Sequence, residues 1–484
     1  MNKPIARLFA VVLVMFALLV GFTSRWTVFE ASALRANPLN KIPGLENQTV
    51  PRGEIVARDG AVLARSVRGA NGFYVRDYPF GPLFASPIGY YDPYNGSSKL
   101  ERYHNGVLAG APAQQSSLLD QFEDKVTRGD EVVTTLDLHA QQVAFAGLAG
   151  RTGAVVAIVP GTGEIRVLVS SPGYNPNDIK STTAFERLLH DPADPLFDNA
   201  TQAQYAPGST FKIVTTIAAI DSGRLTPGSI INGRSPIIVS GRPLSNDGGT
   251  SYGPVTLSYA LTNSINTVYA QAALRVGAST LQDYMQRLGF YSKPPIDLPT
   301  DELGVSGVRF PGHSGYLALP AGADVGRVGI GEGGLEATPL QMAMVAAAVA
   351  NDGRLMVPHL TSEILNADGQ VVQRVAPALY SNVMKPSTAR TVGRMMENVV
   401  NDGTGTAAAL AGITVAGKTG TAQDCSDLAL AACRLNQVWF IAYAPVTDPQ
   451  IAVAVTLAHQ NGFGGTIAAP IAKSVLEALL GSRA

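Results

Sequence analysis

Apolar residues fill the chain from residue 8 to residue 22 without interruption, after the basic residues Lys3 and Arg7. The uncharged span reaches Ser24, and its 17 residues are at the short end of what crosses a bilayer. This pattern predicts a transmembrane anchor, and the basic residues in front of it favour a cytoplasmic N-terminus. The alternative is a cleaved signal peptide, because residues 31–33 (Ala-Ser-Ala) resemble a cleavage site. We favour the anchor, since charged residues separate the apolar run from that site, and in either case the rest of the chain lies outside the cytoplasm.

Short alternating segments separated by turns follow the apolar run and predict a strand-rich region. Residues 49–63 carry Asp59-Gly60 between two such segments, which predicts a β-hairpin. Beyond residue 129 a strand passes into a helix that ends near residue 150. Two apolar strands, 153–160 and 164–170, then follow with a hairpin-length Gly-Thr-Gly link. This change in pattern places a domain boundary near residue 150.

The region after residue 150 alternates predicted helices with hairpins. Helices are predicted at 256–273, 338–350, 387–400 and 468–480, and further strands at 438–444 and 451–459. Hairpins at both ends of a domain, with helices between them, indicate an α+β fold with one antiparallel sheet packed by helices. The predicted organisation is a cytoplasmic tail at 1–7, an anchor at 8–24, a smaller strand-rich N-terminal domain at 25–150 and the α+β domain at 151–484.

Composition narrows the function classes. The chain has 36 Lys and Arg against 37 Asp and Glu, so nothing indicates a nucleic-acid-binding surface. The six histidines lack metal-ligand spacing, and we expect no metal or cofactor. Cys425 and Cys433 either form a local disulfide or remain free thiols. Gly329, Gly331 and Gly334 fit G-x-G-x-x-G, but no βαβ pattern surrounds them, so we interpret them as a backbone-packing loop rather than a dinucleotide site.

Residues 205–220 predict a helix that is apolar on all sides and therefore buried. Pro207 and Gly208 mark its start, and Ser209 and Lys212 lie three residues apart on its first turn. A serine hydroxyl becomes an effective nucleophile when a base takes its proton, and burial can lower the pKa of a lysine enough for that task. The structural alternative is that Ser209 caps the helix and Lys212 extends toward solvent.

Two further polar motifs follow Ser209 and Lys212 along the chain. They are Ser264-Ile265-Asn266, inside the predicted helix 256–273, and Lys418-Thr419-Gly420-Thr421, before the last hairpin. Each alone is also compatible with an ordinary helix end or a turn. Together, S-x-x-K, S-x-N and K-T-G in this order are typical of penicillin-binding proteins and serine β-lactamases.

The sequence resembles class B penicillin-binding proteins over nearly its whole length, and within that class the actinobacterial penicillin-binding protein A group. Segments that resemble the three N-terminal boxes of the class contain Arg52-Gly53-Glu54-Ile55, Arg76 with Tyr78, and Leu100-Glu101. Gly331-Glu332 and residues 403–406 fit the class as well. One departure is Asp198-Asn199-Ala200, where the family usually has Asn-Arg-Ala, so the salt bridge of that arginine is in doubt.

This resemblance implies a penicillin-binding transpeptidase fold and a catalytic role for three residues. Ser209 would attack the carbonyl of a D-Ala-D-Ala stem peptide and form an acyl-enzyme. Lys212 would accept its proton, and Ser264 would relay that proton to the leaving amine.

The resemblance also implies a set of substrate-binding residues. Asn266 would hold both Lys212 and the peptide backbone. The strand motif would bind the carboxylate of the terminal D-Ala or of a β-lactam, and the backbone N–H groups of Ser209 and Thr421 would form the oxyanion hole. The residues of the motif are Lys418, Thr419, Gly420 and Thr421.

The function that follows is a peptidoglycan DD-transpeptidase inhibited by β-lactams. Only about 125 residues separate the anchor from the catalytic domain, too few for a glycan-polymerising domain, so a membrane glycosyltransferase partner is expected. The alternatives are a DD-carboxypeptidase or a β-lactamase, although residues 302–305 lack the asparagine of class A lactamases. The non-enzyme alternatives are a membrane-anchored β-lactam sensor or a scaffold of a division complex.

Overall fold

The computed structural model describes residues 3–26, 30, 48–109, 128–310, 315–317, 319, 323–423 and 435–481. The possible cleavage site at 31–33 and the cysteine pair, Cys425 and Cys433, lie outside the described residues. The first helix, Lys3–Ser24, buries none of its side chains against the rest of the chain. It is long and apolar enough to cross a membrane.

The centre of the molecule is a five-stranded antiparallel sheet, here called the main sheet. Its strands lie in the order Ala416–Gln423, Asn436–Ala444, Ile451–Gln460, Gly153–Ile158 and Ile165–Ser171. Hairpin neighbours in sequence pair with each other, and the first and last parts of the α+β domain meet where 451–460 pairs with 153–158. The predicted antiparallel sheet packed by helices is therefore confirmed.

Both faces of the main sheet are buried, because helices cover each side. Side chains alternate between the faces: Val438 and Phe440 pack in one apolar cluster, while Trp439 and Ile441 pack in the other. The first cluster is covered by the helices Leu138–Leu148 and Gly464–Gly481. Because helices cover both faces, four of the five strands read as mostly apolar runs in the sequence. The exception is the edge strand Ala416–Gln423, which carries the polar residues Lys418, Thr419 and Thr421.

The second face carries the helices that position the candidate site. They are Lys212–Asp221, Leu257–Thr262, Asn266–Val276, Ala278–Arg287, Pro339–Ala350 and Pro386–Asp402. The helix Pro339–Ala350 is buried along its whole length and begins at the N-cap Thr338, whose hydroxyl accepts the N–H of Gln341. Small sheets flank these helices, with strands Ile230–Asn232, Ile237–Val239, Arg242–Leu244, Pro254–Thr256, Gly307–Arg309, Tyr316–Leu317, Leu335–Glu336, Arg354–Met356 and Leu379–Asn382.

A second, six-stranded sheet forms the N-terminal part of the molecule. Its order is Val371–Arg374, Thr361–Leu365, Glu131–Thr134, Ile55–Val56, Val62–Arg68 and Tyr74–Asp77. The hairpin predicted around Asp59-Gly60 is present in it. Its two outer strands, 361–374, come from much later in the chain, so this sheet is built from both regions of the sequence. The short helix Asn105–Leu108 packs against the strand Glu131–Thr134 of this sheet, and Lys99–Tyr103 packs against that helix and against Ala85–Ile88. A further short helix, Thr182–Leu189, packs against the 3₁₀ turn Pro176–Lys180.

A buried ion triad holds the three N-terminal boxes together. The Glu101 carboxylate accepts from Arg52 Nη2 at 2.9 Å and from Arg76 Nε at 2.5 Å. Tyr78 donates its hydroxyl to the same carboxylate at 3.3 Å. Burial alone would raise the pKa of Glu101, but Arg76 and Arg52 hold it below its usual value.

Replacing Glu101 with glutamine is expected to destabilise the chain by about 3–5 kcal/mol, because two buried arginines then lose their counter-charge. The measurement is urea unfolding at neutral pH. The control is Glu363→Gln, which breaks the more exposed pair with Arg374 at 2.8 Å and should cost less than about 1 kcal/mol. The difference in free energy of unfolding between the wild type and Glu101→Gln should decrease as the pH falls through the lowered pKa of Glu101, because the carboxylate is then protonated and loses its charge. Equal losses for both variants would contradict the role of the triad.

Candidate active site

The predicted nucleophile, Ser209, lies on a tight turn that precedes its helix. The chain forms a 3₁₀ turn over Gly208–Phe211 and becomes α-helical at Lys212–Asp221. The single helix predicted from residue 207 is therefore wrong at its first turn, because Gly208 has a φ of +51° and the Thr210 hydroxyl donates to the Pro207 carbonyl at 2.7 Å. The turn leaves Ser209 half-buried at the wall of a cavity.

Lys212 is fully buried one turn after Ser209. Its Nζ donates to the Ser264 carbonyl and to Asn266 Oδ1, both at 2.6 Å, and lies 3.3 Å from Ser264 Oγ. Burial lowers the pKa of Lys212 to about 7, against the opposing effect of Asp247 and Glu332. A neutral amine has two N–H bonds, which match the two short acceptors, and keeps a lone pair for a proton.

The Ser264 motif lies at a break between two helices, and not inside a helix as the sequence predicted for 256–273. The helices are Leu257–Thr262 and Asn266–Val276, and Ser264 has a φ of +58°. This left-handed conformation is uncommon for a residue other than glycine. Because the helix is interrupted, the Ser264 carbonyl can accept from Lys212 while its hydroxyl faces the strand that carries Lys418.

Lys418 approaches the same hydroxyl from the main sheet. Its buried Nζ lies 3.0 Å from Ser264 Oγ and 3.2 Å from Thr419 Oγ1. Burial and the neighbouring Lys212 hold the pKa of Lys418 well below its usual value. The Ser264 hydroxyl therefore bridges two amines, an arrangement through which a proton can pass in either direction.

The remaining motif residues close the site around a cavity of about 660 Å³. Ser209, Asn266 and Thr421 all line this cavity. The Thr419 hydroxyl lies 2.7 Å from that of Thr404, which belongs to the Gly-Thr-Gly-Thr segment. The turn Gly208–Phe211, here called the nucleophile turn, packs closely against Gly420. A Cβ on Gly420 would lie 2.8 Å from the Pro207 carbonyl oxygen. All eight predicted residues are thus in one contiguous region.

Several residues that line the cavity were not assigned a role from the sequence. They are Ser245, Asn246, Asp247, Gly248, Ile330, Glu332, Asn436 and Phe463. Asp247 accepts from Asn266 Nδ2 at 3.2 Å. Gly331-Glu332 is part of the resemblance to the family, so the sequence drew attention to Glu332. It could not show that the Glu332 side chain lines the cavity, because that depends on the position of its loop.

At the departure from the family pattern, Asp198-Asn199-Ala200, the buried side chains of Asp198 and Asn199 both have polar partners. The Asp198 carboxylate lies 3.4 Å from the buried Lys99 Nζ and accepts from Ser86 Oγ at 2.6 Å. Asn199 Oδ1 accepts from the Tyr205 hydroxyl at 2.5 Å. The chain has Asn199 at the position of the usual arginine, and the cation near Asp198 is Lys99 from the N-terminal region.

The glycine-rich loop at 329–334 was predicted only as a backbone-packing loop, and the backbone that it contacts is the turn Gly208–Phe211 that carries Ser209. The Gly331 carbonyl accepts the N–H of Gly208 at 3.1 Å. Gly331 has a φ of +87°, and a Cβ there would lie 1.9 Å from the Gly208 carbonyl oxygen.

Replacing Gly331 with alanine is therefore expected to displace the turn and slow β-lactam acylation by at least about tenfold, with about 2–4 kcal/mol of lost stability. The measurements are the acylation rate and the thermal midpoint. Gly412→Ala is the control, because Gly412 has a φ of +74° but open space around a Cβ, so it bears the backbone strain alone. An acylation rate equal to that of this control would show that the close approach does not position Ser209.

Comparison with known proteins adds a direct test of the resemblance. Residues 153–477 match the family model described as penicillin binding protein transpeptidase domain. The chain belongs to the penicillin-binding protein transpeptidase family. Residues 52–132 match the model described as penicillin binding protein A dimerisation domain.

Two similar proteins match the chain over nearly its whole length. The peptidoglycan D,D-transpeptidases PbpA of Mycolicibacterium smegmatis and of Mycobacterium tuberculosis are each 33% identical to it, over 99% of both chains. The ceftriaxone acyl-enzyme complex of penicillin-binding protein A from M. tuberculosis is similar with a TM-score of 0.82 and 32% identity, over 90% of this chain and all of that one. The penicillin G acyl-enzyme of the same protein has a TM-score of 0.79, over 89% of this chain.

Proposed function

We propose that this chain is a peptidoglycan D,D-transpeptidase that forms its acyl-enzyme on Ser209, and that β-lactams inhibit it by acylating the same oxygen. The observation that carries this proposal is the bonded set Lys212–Ser264–Lys418 next to the cavity that Ser209 lines. Relatives named as D,D-transpeptidases support the reaction, and acyl-enzyme complexes of a similar structure support the covalent step.

The donor half-reaction follows from the positions of these groups. The neutral Lys212 amine takes the Ser209 proton, and Oγ attacks the carbonyl of the penultimate D-Ala. The N–H groups of Ser209 and Thr421 stabilise the oxyanion, and each such donor is typically worth about 3–4 kcal/mol. The proton returns through the Ser264 hydroxyl to the leaving D-Ala nitrogen.

The edge strand of the main sheet, Ala416–Gln423, is proposed to bind the substrate carboxylate. Lys418 is protonated when a carboxylate binds beside it, and the hydroxyls of Thr419 and Thr421 donate hydrogen bonds to that carboxylate. Thr404 fixes the Thr419 hydroxyl through their 2.7 Å contact. Gly420 keeps this strand against the nucleophile turn. No cofactor takes part in this proposal.

The decisive experiment labels the full-length chain with a fluorescent penicillin and then follows both release of the label and transfer to an amine acceptor. A transpeptidase keeps the label for long periods and transfers the acyl group of a D-Ala-D-Ala thioester analogue to the amine. A DD-carboxypeptidase passes the acyl group to water only, and a β-lactamase releases the penicillin within seconds. A β-lactam sensor would keep the label but would transfer no acyl group to the amine or to water, and a scaffold protein would take no label. Either result would withdraw the proposal.

The membrane arrangement is a second part of the proposal. We place a cytoplasmic tail at 1–7, a span at 8–24, an N-terminal pedestal at 25–150 and the catalytic domain at 151–484, outside the cytoplasm. The unburied apolar helix Lys3–Ser24 supports the span. The small pedestal supports a separate membrane glycosyltransferase partner, because it leaves no room for polymerisation in this chain. Protease added to intact spheroplasts should remove the catalytic domain, and protection would reverse this topology.

A further inference from the structure

Two carboxylates, Asp247 and Glu332, line the same cavity as Ser209. Glu332 follows Gly331, the residue whose carbonyl is bonded to the nucleophile turn, so the loop places this side chain beside the turn. Asp247 is held from the other side by its bond to Asn266. Each carboxylate is therefore attached to an element of the catalytic motifs.

The open part of this cavity has negative charge and no basic side chain among its described lining residues. Arg327 comes no nearer to Glu332 Oε2 than 3.8 Å, and its Nε faces Asp324 at 3.1 Å. The Glu332 oxygens are thus not held by a charge-assisted hydrogen bond from Arg327. Burial, with Asp247 and Asp324, raises the pKa of Glu332, against the effects of Arg327 and Lys212.

The chemistry of the reaction decides which ligand these oxygens take. No group of three or more His, Cys, Asp or Glu that could hold a metal ion occurs in the described part of the chain. The second substrate of a transpeptidase is an amine, which is mostly an ammonium ion near pH 7 and must lose a proton before it attacks.

We propose that Asp247 and Glu332 bind the ammonium group of the acceptor stem peptide and that Glu332 accepts its first proton. This inference rests on the proposed transpeptidase function and deepens it. In the transfer step, the freed amine nitrogen forms a C–N bond with the ester carbonyl, and the C–O bond to Ser209 breaks. The second proton of the nitrogen passes through Lys212 to Ser209 Oγ, and the Glu332 proton is lost to solvent, which restores the enzyme.

The test measures how the acyl-enzyme of a D-alanyl thioester divides among an amino acid amide, methanol and water in Glu332→Gln and Asp247→Asn. Transfer to the amide at pH 7.5 should fall at least tenfold in Glu332→Gln, whereas transfer to uncharged methanol and to water should change less than about twofold. Asp247→Asn should mainly raise the KM of the amide. Penicillin acylation at pH 9, where Lys212 is neutral, needs no amine acceptor and is measured for the wild type and for both variants as a check on the donor half of the site. A loss of acylation as large as the loss of transfer to the amide would overturn the inference.

The control is Glu336→Gln, which removes a carboxylate four residues further along the chain that does not line this cavity. This variant should leave the ratio of transfer to the amide, methanol and water unchanged. A uniform loss for all three nucleophiles, or no loss for the amide, would overturn the inference. A larger loss for water than for the amide would make Glu332 a base for hydrolysis and overturn it as well. If the wild type transfers to no amine at all, the proposed function fails instead, so the two failures are distinguishable.

Discussion

Ser209→Ala is expected to take no fluorescent penicillin, with an acylation rate at least about a thousandfold below the wild type. The variant keeps Lys212, Ser264 and Lys418 in place but has no oxygen that can form the ester. Because the serine side chain is half-buried and does not cap the α-helix, which begins at Lys212, the thermal midpoint should shift by no more than a few degrees.

Ser222→Ala is the matched control for Ser209→Ala. It also removes a serine hydroxyl, at the C-terminal end of the helix that follows Ser209. There the Ser222 hydroxyl donates to the Ala218 carbonyl at 2.5 Å. This control should acylate at the rate of the wild type. Label on Ser209→Ala that survives denaturation would place the nucleophile elsewhere and refute the site.

Four of the five strands of the main sheet were predictable, because burial on both faces produces a run of apolar residues in the sequence. The edge strand Ala416–Gln423 is polar and was recognised only as a motif before the last hairpin. The strands predicted at 438–444 and 451–459 lie within Asn436–Ala444 and Ile451–Gln460. The hairpin 361–374 could not be assigned to the N-terminal sheet in the same way. Its pairing with residues 131–134 is a long-range contact, and local patterns of polar and apolar residues specify faces, not distant partners.

The identity of the site residues was recognisable from motif order, but their geometry was not. The break at Ser264 is hidden because its neighbours continue a helical pattern, and the conformation there is stabilised by Lys212 and Lys418 from other elements. Asp247 and Glu332 lie on loops, where no periodicity marks a side chain that faces a cavity. Long-range contacts therefore supply what the local sequence leaves open.

Lys212→Met is expected to reduce penicillin acylation by at least about a thousandfold, since Ser209 loses its proton acceptor. The control Lys473→Met replaces a half-buried lysine far from the site, whose Nζ lies 4.0 Å from Glu477, and should keep the wild-type rate. In the wild type, the acylation rate should rise with pH through about 7, because only the neutral amine of Lys212 takes the proton. A profile that is flat between pH 5 and 9 would exclude Lys212 as the base.

The same variant tests whether burial is what lowers the pKa of Lys212. The folded pKa is about 7, against about 10.4 in an unfolded chain. Between these values the unfolded state binds more protons, so this lysine makes the stability of the wild type rise with pH across that window. Lys212→Met lacks this contribution, so its thermal midpoint relative to the wild type should fall as the pH increases from 7 to 9. A constant difference would mean that Lys212 keeps its proton in the folded chain, and a charged Lys212 could not act as the base for Ser209.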